Sequence, residues 1–127
     1  MNESLNKNET EITQKQKDLL IELAPYLDIM EKWFFDFRSI FINNDNDIEQ
    51  AESAACLGAI MAALAISRNS PTVKVHIDSV MYAQEIFHIY VSIKKGIQLG
   101  ILNGSVEGTD EYGWPIFQIN KEVQNAE

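Results

Sequence analysis

The sequence is short of cations, thiols and long apolar runs, and each shortage removes a class of function. Ten Lys and Arg stand against nineteen Asp and Glu, a formal charge of −9. Nucleic-acid affinity comes mainly from Lys and Arg displacing counterions from phosphates, and anionic membranes attract the same residues, so both partners are disfavoured. The single cysteine, Cys56, excludes an internal disulfide and a thiolate cluster. The apolar run Ala54 to Ile66 falls short of the roughly 18–20 residues that span a bilayer. Met1 to Thr10 lacks the basic-then-apolar order of a signal peptide, so a cytoplasmic protein without a membrane segment is expected. No Gly-rich phosphate loop follows a strand and no Gly-x-Ser-x-Gly elbow occurs, which argues against an enzyme and against a cofactor.

What is present suits one folded domain. The chain has 127 residues, 46% of them hydrophobic and 23% charged, enough to bury a core and too apolar for general disorder. Residues 1–12 are polar and read as a disordered tail, leaving 13–127 as a single helical domain with a C-terminal hairpin. Thr13 and Gln16 form a capping-box pattern. Beyond it Leu20, Leu23, Leu27, Met30, Phe34, Phe37 and Phe41 recur at steps of three and four, the spacing of one helix face. Pro25 predicts one bent helix or two short ones. A continuous helix to Asn43 would be about 45 Å long against the ~30 Å width of a small domain. A break at Pro25 or a homodimer covering the overhang would resolve that mismatch.

Further along, Asp47 and Gln50 predict the cap of a buried helix in which Ala54, Gly58 and Ala62 admit a close neighbour. Arg68 to Pro71 breaks the chain, and Val73, Val75 and Ile77 alternate with polar residues as in a short strand. Asp78 or Ser79 is the expected cap of a nearly surrounded helix that runs to Lys95 and ends at Gly96. Asn103-Gly104 predicts a two-residue hairpin turn, Asp110 to Gly113 a second turn, and Ile116 to Ile119 an edge strand. The fold class is therefore mainly α (α+β): a bundle of three to four helices with a short strand and a C-terminal β-hairpin.

Few residues suggest chemistry. Glu85 and His88 have the Glu-x-x-His spacing of di-iron bundles, which require two such pairs and further glutamates, so a solvated i, i+3 pair is the plainer reading. His76 and His88 match no zinc signature, and Cys56 in an Ala-rich run behaves as a small hydrophobe. Asp45, Asp47 and Glu49 hint at a calcium loop, yet Gln50 and Cys56 stand where its glycine and closing glutamate belong. No metal site follows. A helix followed by a glycine and a hairpin resembles the end of a winged-helix domain, although the would-be reading helix carries Lys only at its end, at Lys94 and Lys95; a dimer would have to gather these with Lys15 and Lys17 to hold DNA.

Partner binding is better supported. Phe35 and Ile42 fall outside the main apolar stripe and need another cover. Asp110, Glu111, Tyr112 and Trp114 combine acid and aromatic groups at an expected loop tip, a mixture that suits interface anchors, with a stacked tryptophan as the plainer alternative. The expectation is a non-enzymatic acidic regulator or inhibitor, of immunity, anti-defence or chaperone-like type, that binds a basic protein. Two alternatives stand beside it: a winged-helix-like transcription regulator, and a metal-dependent helical enzyme centred on Glu85 and His88.

Overall fold

The computed structural model describes residues 12–44 and 47–119. Helices α1 (Gln14–Leu23) and α2 (Leu27–Asn43) flank a 3-10 turn over Ala24–Tyr26; α3 (Ile48–Ser67) and α4 (Ile77–Gln98) follow, then strands β1 (Gly104–Thr109) and β2 (Pro115–Ile119). The result is a mainly helical bundle of three arms, the bent α1–α2 arm, α3 and α4, closed by a C-terminal hairpin. The polar stretch expected to form a tail lies outside the described residues except for Ile12, as do Asp45 and Asn46.

The capping box forms as the sequence predicts: Gln16 N donates to Thr13 Oγ1 at 3.2 Å and Thr13 N donates to Gln16 Oε1 at 2.9 Å. At Pro25 a single 3-10 turn separates two helices, one of the two outcomes that the proline predicts. Proline sits in the first positions of that turn, where its fixed φ is already suited to the helical backbone. The apolar face carries across the break, and Leu20, Leu23, Leu27, Met30 and Phe34 are all buried.

Helix α3 is capped by Asp47, whose Oδ1 accepts from Gln50 N at 2.8 Å. Its buried residues are mostly small, Ala51, Ala55, Cys56, Ala59 and Ala63, which brings α2 and α4 close on either side. Of the small-residue series only Gly58 works by its size alone: a Cβ there would lie 3.2 Å from the Phe37 ring, whereas Ala54 is exposed. By length and a mean hydropathy of 1.4, α3 has the composition of a membrane span, a test that a core helix of this kind also passes.

Three local expectations are corrected. Val73 and Val75 do turn inward between exposed Lys74 and His76, but the segment joins no sheet among the described residues; Arg68 Nη1 takes the Lys74 carbonyl at 2.9 Å. Helix α4 starts at Ile77 under a His76 cap, Nδ1 accepting from Asp78 N at 3.3 Å, and runs past Gly96 to Gln98. Gly96 makes room for Leu102, which a Cβ would approach to 2.8 Å, and the reversal falls instead at Gly100, with φ +77°. Nor is α4 nearly surrounded, since Ile77, Met81 and Ile89 stand exposed along it.

The third correction is the hairpin. Asn103-Gly104 does not turn; Gly104 opens β1 and pairs with Ile119, where a Cβ would meet the Gln118 carbonyl at 2.6 Å. The reversal is the stretch expected to be a separate turn, Asp110 to Gly113. Asp110 Oδ1 accepts from Tyr112 N and Trp114 N, both at 2.9 Å, and Gly113 adopts φ +89°. A bulge at Glu107 shifts the register between Val106 and Gly108.

Candidate functional site

Two surfaces hold the residues that the sequence nominates. The first is the hairpin. Trp114, expected as an exposed anchor, is 3% exposed, and its Nε1 donates to the Leu20 carbonyl in α1 at 2.7 Å. Its ring meets Tyr90 of α4 edge-on at 6.3 Å, and Tyr90 stacks on Phe117 at 5.7 Å. Trp114 is thus a peg that fixes the hairpin to α1 and α4, and it is closed to a partner in this chain. Asp110 is likewise committed through one oxygen to the turn.

What the hairpin leaves in solvent is acidic. Residues 104–119 include Glu107, Asp110 and Glu111 and no Lys or Arg, with Val106 and Ile116 exposed beside them. The Tyr112 phenol is raised above its ordinary pKa, first because its protonated form donates a hydrogen bond to the Glu111 carboxylate and further because that neighbouring anion disfavours a phenolate.

The second surface is a groove of about 500 Å³ between α2, the start of α3 and the last half of α4. Glu52 of α3 joins its walls: Arg38 Nε lies 3.0 Å from Glu52 Oε2, and His88 Nε2 lies 4.0 Å from Oε1. Phe34 sets its ring edge-on against Phe35 at 5.1 Å and against His88 at 5.9 Å. Phe35 is 36% exposed and carries Lys95 Nζ over its ring at 5.3 Å. The off-stripe position of Phe35 does place it at a surface, as the periodicity implies. The Arg38–Glu52–His88 cluster was invisible from sequence, since 14 and 36 residues separate Glu52 from its partners on α2 and α4 and no local motif marks it; Lys95 was legible only as a cation at the end of its helix.

The structure does not bring Phe35 together with Asp110, Glu111, Tyr112 and Trp114. His88 faces the groove and Tyr90 faces the hairpin; two residues apart on a helix means about 200° of rotation, so the surfaces lie on opposite sides of α4. Glu85 and His88 do not form an ion pair, because His88 turns toward Glu52. Among the described residues no three of His, Cys, Asp and Glu gather as a metal-binding group. Cys56 is fully buried, its Sγ 3.5 Å from the Gln84 carbonyl, and burial pushes the thiol up to about 12, which removes the thiolate that a nucleophile needs.

Two further cations are held in ion pairs. Lys94 Nζ lies 3.0 Å from Glu31 Oε1 and 3.4 Å from the Tyr90 hydroxyl. Arg68 forks onto Glu22 with two contacts of 2.9 Å, and that guanidinium holds Glu22 below the usual carboxylate range. Compared with known proteins, the chain matches no protein-family model, no curated protein and no solved structure.

Proposed function

We propose that this chain is a non-enzymatic cytoplasmic regulator or inhibitor that binds a basic protein partner through the hairpin. The observation that carries the reading is a rigid surface of one sign: Glu107, Asp110 and Glu111 project from a hairpin without cations, pegged by Trp114 to two helices. A pre-ordered acidic surface steers a basic partner during encounter and loses little freedom when contact is made. Tyr112, Val106 and Ile116 supply the apolar contact beside the charges.

The order helix, then hairpin, favours a winged-helix reading as the second choice, and charge weighs against it. The leading half of α4 exposes Asp78, Met81 and Glu85, and the hairpin has no cation, so both elements that would approach phosphates repel them.

The test compares full-length protein with the Glu107→Gln/Glu111→Gln variant, which removes two charges and spares the Asp110 turn. Immobilised wild type is expected to retain a basic protein from the native lysate that the variant and added salt both release. Identical retention by the two proteins at every salt concentration would end this reading. Salt-sensitive, sequence-selective binding of DNA in a gel shift would replace it with the winged-helix one.

A further inference from the structure

Along α4, on the side away from the hairpin, Asp78, Met81, Glu85, His88, Ser92 and Lys95 follow one another at steps of three, four, three, four and three. This is the a and d series of a heptad, the spacing that keeps one line of side chains on a seam between two helices. Two properties of the series matter for pairing. It reads the same from either end, with its midpoint between Glu85 and His88. Its polar groups also divide about that midpoint, the acids Asp78 and Glu85 lying in the leading half and the cation Lys95, with His88 and Ser92, in the trailing half.

We propose that a second copy of the chain docks on this line, the two α4 helices lying antiparallel about a two-fold axis at that midpoint. Asp78 then faces Lys95 of the second copy, Glu85 faces its His88 and Met81 faces its Ser92, and every pair occurs twice because a two-fold contact is self-complementary. Each a position meets a d position. From Asp78 to Lys95 the seam spans about 26 Å at 1.5 Å per residue.

Five of the six seam residues are exposed; His88 is half-buried, its Nε2 4.0 Å from Glu52 Oε1. Met81 is 56% exposed and Ile89, flanking the seam, 57%; the Asp78 side chain is 74% exposed and reaches only His76, at 3.8 Å. Glu85 forms no ion pair among the described residues, and Lys95 rests on the Phe35 ring without a carboxylate. Charge selects the occupant. A polyanion is repelled by the leading half and a uniformly basic helix by Lys95, whereas an inverted copy satisfies both halves. The contact uses the side of α4 opposite the hairpin, so it stands independently of the partner proposed above and leaves that site open.

Sedimentation velocity of the full chain over a wide concentration range tests the pairing. Wild type is expected to self-associate reversibly. Asp78→Lys and Lys95→Asp should each weaken association about tenfold or more, since each sets like charges face to face twice. Mixing the two single variants should give a heterodimer, and Asp78→Lys/Lys95→Asp in one chain should restore the homodimer. Met81→Glu, at an exposed position, should weaken association while circular dichroism shows an unchanged helical fold. A wild type that sediments as a monomer throughout, single variants that associate as wild type does, or a mixture that forms no heterodimer would overturn the proposal.

Discussion

The hairpin and the open face of α4 lie on opposite sides of one helix and are charged by opposite rules. On the hairpin all the ionised groups have one sign, and its position is set by a contact spanning 94 residues, from Trp114 to Leu20. On α4 both signs occur, ordered along the axis, and the order is written in one continuous stretch. A surface of a single sign pairs poorly with its own copy, because like charges oppose; the partner proposed for it is a different, basic molecule. A surface whose signs invert about a midpoint suits its own copy best. Under the two proposals the faces would serve two kinds of association, and because they lie on opposite sides of α4 neither would compete with the other for space.

The change with the largest expected effect removes the peg. Trp114→Ala should destabilise the domain by about 3–5 kcal/mol, the range for emptying a buried aromatic site, read as a lower midpoint in urea unfolding. The hairpin face should lose its rigidity while the α4 helix keeps its line of charges. If partner capture survived that loss, rigidity would not matter to the hairpin surface and the contrast between the faces would weaken.

An intermediate effect should come from a pair that belongs to neither face. The Arg68 fork lowers the pKa of Glu22 in the folded state. A depressed carboxylate pKa stabilises the fold above the ordinary carboxylate value, and that contribution is lost as pH falls through the lowered one. Glu22→Gln should cost about 0.5–1 kcal/mol at neutral pH, allowing for solvent screening, and should flatten the acid limb of a stability–pH profile. Both associations should persist in this variant, which makes it the control for charge loss in general.

The smallest effect on stability is expected at Glu111. Glu111→Gln should stay within about 0.5 kcal/mol of wild type, as surface substitutions do, and should return the Tyr112 phenol toward its ordinary pKa in an alkaline absorbance titration. Its consequence should appear in the salt dependence of partner binding and leave self-association alone. An equal effect on both would show that the two faces are coupled.

What could be read from the sequence was local. Thr13 with Gln16, Asp47 with Gln50, and the stripe from Leu20 to Phe34 each act within a turn or two of helix, and each forms as expected. Phe35 was legible as a surface residue because it departs from that stripe. The failures are places where a distant neighbour decides. Asn103-Gly104 has the chemistry of a tight turn, yet Gly104 is needed flat against the Gln118 carbonyl. Gly96 has the chemistry of a helix end, yet it gives way to Leu102. Trp114 has the composition of an anchor, and only the free face of the Leu20 carbonyl turns it inward. The groove around Glu52 draws on three helices at once and has no one-dimensional signature.

The bond between the Trp114 indole and the Leu20 carbonyl also sets an order of events when the protein is made. Translation proceeds at about 5–20 residues per second, so the opening helix waits roughly 5–20 s for the tryptophan that seals it. Until then the Leu20 carbonyl lacks its indole donor, although α3 and α4, made earlier, already supply other cover for α1. The residue that seals Leu20 is thus made 94 residues after it.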